Sequence, residues 1–268
     1  MEGKTIGVAG LGLLGRGIAA CCLAHGWKVI AFTRRAETHA TARSYIENAI
    51  GELVCRASFD ASLLDDWEDR YHSVNSLADF ASCDFVIETV TEDQEIKRKV
   101  FDEIEAAVGP EIAIASNTSA IPISTLQRDR RHPERFMGMH WAEPAHVTRF
   151  CELIRGELKS QVVFSATAEL ARQFGKKPCL VQKDVPGFIV NRIGYAMYRE
   201  AAHLLEMGVA DAETIDRSCR HALVYGHRCA ARSAGWTSPA ALPLTPRQSQ
   251  TCFPPWITRK SCRSPIKT

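Results

Sequence analysis

A histidine, His140, closes the apolar run Phe136–His140, and an acidic residue, Glu152, sits inside the next apolar run, Phe150–Ile154, with Pro144 in the loop between them. A hairpin return brings two such residues side by side, and a carboxylate beside an imidazole orients the ring and stabilises its cationic form. An unperturbed imidazole titrates near neutrality, so His140 suits a base that takes the proton of a substrate hydroxyl. A second pattern, near the start of the chain, supplies a partner for that base. The run Thr5–Ala9 leads into Gly10-x-Gly12-x-x-Gly15, with Leu13 and Leu14 in the last two variable places and Gly17 beyond. Between a strand and a helix, the first glycine permits the tight turn and the second lets backbone approach a pyrophosphate. The third lets helix and strand pack closely, and the helix N-terminus faces the anion. Gly10, Gly12, Leu13, Leu14 and Gly15 are therefore candidate contacts to a dinucleotide. A base and a dinucleotide together point to alcohol oxidation, in which the base collects the hydroxyl proton while hydride leaves for a nicotinamide ring.

The choice between NAD and NADP turns on the end of the second apolar run, which reads Val29-Ile-Ala-Phe-Thr33-Arg34-Arg35. An acidic residue here binds the adenosine ribose of NAD, and none is present. A small hydroxyl followed by arginines suits a 2′-phosphate, so Thr33 and Arg34 keep NADP open beside NAD. The alternative is two solvated arginines at the start of a helix.

These residues need a scaffold, and the chain alternates short β-branched runs with longer amphipathic ones, as βαβ units with a parallel sheet do. Strands are predicted at 5–9, 28–33, 84–88, 112–116, 136–140, 150–154 and 178–181. One helix face is expected at Leu14, Ile18, Cys21 and Cys22, and another at Ile96, Val100, Ile104 and Val108. Residues 35–56 read as a long helix followed by a charged connector over 65–70, and 166–174 as a further helix. Beyond Asp184 the pattern turns helical, with Pro186 in a first turn, Gly208 as a stop and Asp211 as an N-cap. The expected fold is α/β: a doubly wound, Rossmann-type sheet over 1–183 and a smaller all-helical domain over 184–225.

The 268 residues, 46% of them hydrophobic, suffice for two domains with a large core. No apolar run is long enough to span a membrane, and the strand pattern begins at Lys4, so a cytoplasmic protein is expected. The ten cysteines include no CxxC and have no His-rich partner spacing, so reduced core thiols are expected and no metal site. The net charge of +2 hides a break in composition. Residues 1–225 carry 26 basic and 31 acidic side chains, whereas 226–268 carry 7 basic and none acidic, with six of the twelve prolines. A solvated basic extension is the expectation for that tail, and neither nucleic acid nor membrane is an expected partner.

From Asp84 onward the chain resembles the L-3-hydroxyacyl-CoA dehydrogenase family, which includes 3-hydroxybutyryl-CoA dehydrogenases. The motifs that carry the resemblance are Asp84-Phe-Val-Ile-Glu88-Thr-Val-Thr-Glu92, Lys97-Arg-Lys-Val-Phe101, Ser116-Asn-Thr-Ser119, Gly138-Met-His140 and Asp184-Val-Pro-Gly-Phe-Ile-Val-Asn191-Arg192. With the glycine turn they span roughly residues 4–220. The resemblance implies the His140–Glu152 pair, Ser119 at the substrate oxygen beside the cofactor, Asn191 near the reacting centre, and Glu92 and Lys97 on the cofactor side. It also implies an acyl-CoA substrate and a homodimer formed through the helical domain.

Two departures stand out. Trp141-Ala142-Glu143-Pro144 carries Glu143 where the family has an asparagine near the nicotinamide, which keeps a non-CoA hydroxy acid open as substrate. CoA contacts leave no compact motif, and Arg43 and Arg56 on the long helix are candidates for its phosphates. After Tyr225 the resemblance is lost, as an out-of-frame or a divergent native end would produce. With its end altered, the chain also reads as a dinucleotide-binding protein with impaired catalysis.

Overall fold

The computed structural model describes residues 3–158 and 160–223; the acid-free tail from Gly226 lies outside the described residues. Eight strands form one sheet: β1 (Thr5–Ala9), β2 (Lys28–Phe32), β3 (Tyr71–Val74), β4 (Phe85–Glu88), β5 (Ala113–Ser116), β6 (Phe136–Trp141), β7 (Phe150–Ile154) and β8 (Lys177–Val181). Their order is β3-β2-β1-β4-β5-β6-β7-β8. Every neighbouring pair is parallel except β6 and β7, which run antiparallel. The order reverses between β1 and β4, and a doubly wound sheet binds ligands outside the carboxyl ends of the strands at that point.

The helices are α1 (Leu13–Ala24), α2 (Ala36–Ala57), α3 (Leu63–Asp66), α4 (Gln94–Ala107), α5 (Ile123–Gln127), α6 (Gln161–Gln173), α7 (Val190–Glu206) and α8 (Ala212–Ser218). Ile18, Cys21 and Cys22 of α1 are buried in one core cluster; Val100, Phe101 and Ile104 of α4 are buried in another. Asp93 caps α4, its carboxylate accepting the Ile96 N–H at 2.9 Å. The central strands are apolar on both faces because helices cover both sides of a parallel sheet.

The structure departs from the sequence expectation in four places. The expected connector over 65–70 holds α3 and a 3₁₀ turn at Glu68–Arg70, and then delivers β3 to the sheet edge. In β3 only Tyr71 is buried and His72 and Ser73 are exposed, so no apolar run announced it. Helix α6 begins at Gln161 rather than 166, because Ser160 caps it through the Val163 N–H. Pro186 lies before a helix rather than in its first turn, since Gly187 (φ 75°) and Phe188 (φ 51°) adopt left-handed backbone and α7 starts only at Val190. Cys21, Cys22, Cys83 and Cys151 are buried free thiols, as expected, but Cys55 and Cys179 are exposed. Gly208 (φ 69°) ends α7, and Asp211 caps α8 through the Thr214 N–H at 2.8 Å. The chain divides into two compact units after Asn191. The second unit is helical in its described part. No helix among the described residues is long and apolar enough to cross a membrane.

Candidate functional site

The antiparallel pairing of β6 and β7 sets His140 directly opposite Glu152. The imidazole Nδ1 lies 2.9 Å from Glu152 Oε2, and the two residues are 6% and 1% exposed. Glu152 Oε1 accepts the backbone N–H groups of Ile189 (3.1 Å) and Val190 (3.0 Å). Both carboxylate oxygens are thus occupied, which a buried carboxylate requires. With Nδ1–H donated to Glu152, Nε2 carries the free lone pair and is the atom able to take a proton. Phe150 and Phe188 hold the ring, each with its centroid 5.8 Å from that of the imidazole. The left-handed backbone of Phe188 costs about 1 kcal/mol for a residue with a side chain. It is offset where the ring packs on His140 and the next two N–H groups reach Glu152.

The glycine turn meets its geometric requirements. Gly10 has φ 111°, and a Cβ there would stand 2.6 Å from the Thr89 carbonyl oxygen. A Cβ on Gly15 would collide with the Gly10 carbonyl, whereas one on Gly12 would meet nothing within 4 Å. Helix α1 starts beside that open space with no side chain capping its first turn. Uncapped helix N–H groups next to an open cradle are what a pyrophosphate occupies, so these residues fit a dinucleotide. Leu13 is exposed at the turn and Leu14 is half-buried. Gly15→Ala forces a backbone shift of about 1–3 kcal/mol. It is expected to weaken NADH binding about tenfold or more. A fluorescence titration checks this, and unchanged affinity would detach the turn from the nucleotide.

At the switch point, Lys97 is fully buried, not on the solvated helix face that its charge alone would suggest. Its Nζ lies 2.8 Å from Glu88 Oε1 and 3.3 Å from Glu92 Oε2. The Ser116 hydroxyl donates to Glu88 Oε2 at 2.6 Å. Glu92 Oε1 accepts the Thr118 hydroxyl (2.6 Å) and the N–H groups of Ser119 (2.8 Å) and Ala120 (3.0 Å). Burial opposes the charge on Glu92, but the Thr118 hydroxyl, Lys97 and those two N–H groups outweigh it and hold the carboxyl below its ordinary range. Asn191 Nδ2 donates to the Ser119 carbonyl at 2.7 Å. The Ser119 peptide is therefore gripped from both sides, while its hydroxyl makes no hydrogen bond with a described residue.

Other candidates are placed differently. Thr33 accepts the Arg35 N–H at 3.5 Å, and Arg34 is exposed beside it. Glu143 is exposed and accepts the Tyr45 hydroxyl of α2 at 3.2 Å. Arg43 pairs with Glu68 at 2.6 Å and Arg56 with Glu52 at 3.0 Å, so both guanidinium groups already hold a carboxylate. Sequence reading passed over Asn117 as a brace: its Oδ1 accepts the Trp141 N–H at 2.9 Å and its Nδ2 donates to Thr89 Oγ1 at 3.2 Å. It also missed Lys176, which is buried, donates to the carbonyls of Ala145 and Thr148, and lies 4.6 Å over the Trp141 ring. Nothing in the Gly175-Lys-Lys-Pro178 run distinguishes that lysine from its exposed neighbour.

Residues 5–185 match the family model described as 3-hydroxyacyl-CoA dehydrogenase, NAD binding domain, and residues 187–231 match that of the C-terminal domain. The chain belongs to the 3-hydroxyacyl-CoA dehydrogenase family. A 3-hydroxybutyryl-CoA dehydrogenase from Bradyrhizobium diazoefficiens is 35% identical over 81% of this chain and 74% of its own. A 5-formyl-3-hydroxy-2-methylpyridine 4-carboxylate 5-dehydrogenase from Mesorhizobium japonicum is 36% identical over 80% of this chain and 68% of its own. The crystal structure of (S)-3-hydroxybutyryl-CoA dehydrogenase from Ralstonia eutropha superposes with a TM-score of 0.77 at 33% identity, covering 82% of this chain and 77% of that one. The 3-hydroxyacyl-CoA dehydrogenase family is one of oxidoreductases with an NAD-binding domain, and one of these relatives is named for a substrate that is not a CoA ester.

Proposed function

We propose that the protein catalyses reversible hydride transfer between a nicotinamide cofactor and the 3-hydroxyl of an L-3-hydroxyacyl-CoA of the 3-hydroxybutyryl-CoA type. The observation that carries this reading is the His140–Glu152 pair, with Nδ1 bound to the carboxylate and Nε2 left to act. His140 takes the carbinol proton at Nε2, and Glu152 stabilises the imidazolium so formed. The Ser119 hydroxyl donates to the substrate oxygen as its charge develops. Asn191 and Glu92 hold the Ser119 peptide in place, and Lys97 holds Glu92. Gly10, Gly12, Leu13, Leu14 and Gly15 seat the dinucleotide, whose nicotinamide ring accepts the hydride when bound. The protein works in the cytoplasm as a homodimer through its helical unit, where Ile193 and Met197 are exposed.

The absence of an acid after β2 and the exposed Arg34 support use of NADPH as well as NADH. Arg34→Ala is then expected to weaken NADPH about tenfold more than NADH, because one exposed charge-assisted contact contributes about 1.5 kcal/mol. Equal loss for both cofactors, read from their KM values, would remove Arg34 from the 2′-phosphate. Following cofactor absorbance with acetoacetyl-CoA tests the function itself, and turnover is expected. A second reading, oxidation of a non-CoA hydroxy acid, is favoured by Glu143 and by the Mesorhizobium relative; turnover of small hydroxy acids but not of the CoA ester would select it. Cofactor binding without turnover of either would leave a dinucleotide-binding protein.

A further inference from the structure

Strand β6 runs past its neighbour β5 just where it carries the base. β5 ends at Ser116, opposite Gly138, whereas β6 continues through His140 to Trp141. On its other side β6 stays paired with β7 as far as Trp141, which lies opposite Cys151. Beyond the end of β5 a side chain takes over from the strand: Asn117 Oδ1 accepts the Trp141 N–H at 2.9 Å, one peptide past His140. The Asn117 backbone turns the opposite way, its N–H donating to the Glu88 carbonyl at 2.7 Å.

The other end of the same amide reaches back toward the glycine turn. Asn117 Nδ2 donates to Thr89 Oγ1 at 3.2 Å. Thr89 follows β4 and lies under the turn. Its N–H donates to the Ala9 carbonyl at 2.8 Å, its carbonyl oxygen stands 2.6 Å from where a Cβ on Gly10 would be, and its methyl carbon 2.8 Å from where one on Gly15 would be. In the strand order β1-β4-β5-β6, one half-buried amide thus joins the turn after β1 to the base on β6. We infer that Asn117 is a positioning residue, which through Thr89 and the Trp141 peptide sets the spacing between the seat of the cofactor and the His140 imidazole. Proton and hydride leave the same carbinol group toward these two places, so their separation must suit both transfers. A misplacement of about 1 Å can cost on the order of 100-fold in rate. An amide suits the position because it presents an acceptor to a peptide N–H and a donor to a hydroxyl oxygen at once.

The inference rests on the hydride transfer proposed above, and its test separates the two. Asn117→Ala, Thr89→Val and Thr89→Ser are compared with the wild-type protein for kcat with acetoacetyl-CoA and NADH, and for the number and affinity of NADH sites by fluorescence titration. Asn117→Ala is expected to lower kcat about 10–100-fold with both binding quantities unchanged. Thr89→Val copies the shape of the threonine without its oxygen and should lower kcat about tenfold, the share of one hydrogen bond. Thr89→Ser keeps the oxygen, gives up the methyl and should lose less. General structural damage would reduce the number of NADH sites, and packing alone would reverse the order of the two Thr89 variants; either result would overturn the inference. A kcat for Asn117→Ala within about twofold of wild type would do the same and leave the reaction standing. Loss of NADH affinity in that variant would make Asn117 a cofactor contact instead. If Asn117→Ala does not fold, the order of the Thr89 pair decides. Absence of turnover by the wild-type protein would overturn the reaction and this inference together.

Discussion

His140→Ala should lower kcat by about 10²–10⁴-fold, the range that general acid–base catalysis contributes, while NADH affinity stays near the wild-type value. The reason is positional. The imidazole is held at Nδ1 by Glu152 and flanked by Phe150 and Phe188, so its Nε2 is the one atom of the pair free to move a proton. The dinucleotide turn lies between β1 and α1, three strands away from β6 in the sheet, and keeps its geometry without the ring. Steady-state kinetics with a parallel NADH titration decides the matter. A change of only a few fold in kcat would remove His140 from proton transfer, and loss of NADH binding would make its role structural.

The largest expected effect on stability is at Lys97. It is fully buried against Glu88, which is equally inaccessible, and breaking such a pair from one side leaves an uncompensated charge inside the protein. Lys97→Ala is therefore expected to destabilise the fold by about 3–5 kcal/mol in urea unfolding. Exchanging both partners for apolar or neutral groups, as in Lys97→Met with Glu88→Gln, should recover most of that loss, because the stranded charge rather than the missing attraction causes it. A loss below about 1 kcal/mol in the single variant would show that the site admits water and that the pair is not shielded. Because Glu92 leans on Lys97 and grips Ser119, the single variant should also lose activity at temperatures where it is still folded.

The parts of the fold that bury apolar surface on both sides were legible, since an eight-stranded sheet with one antiparallel pair is built from continuous apolar runs and seven of its strands show one. Strand β3 was not, because Tyr71-His-Ser-Val74 puts two polar residues between its apolar ends, whereas β8, an edge strand with as little burial, still shows the run Pro178-Cys-Leu-Val181. In the site, His140 and Glu152 were readable as a pair because a strand register is periodic and a single reversal aligns two positions. The grip on Ser119 was not, because Glu92 and Asn191 hold it through its backbone N–H and carbonyl, and backbone partners leave no trace in residue type. Lys97 was legible only through the family resemblance and not as a buried residue; the arrival of Glu88 and Glu92 around it makes its burial tolerable. Glu143 was conspicuous as a departure from the family pattern, but its partner Tyr45 lies far away along the chain and is brought to it only by the packing of α2.

The central claim is that the Nε2 atom of one imidazole faces the oxygen of a substrate whose carbon exchanges hydride with the cofactor. A crystal structure of the protein with NAD⁺ and acetoacetyl-CoA tests it most directly. The account predicts the substrate 3-oxygen within about 2.6–3.2 Å of His140 Nε2 and near the Ser119 hydroxyl, with the nicotinamide C4 stacked against the 3-carbon. A nicotinamide ring bound away from His140, or a 3-oxygen turned to a different side chain, would contradict it.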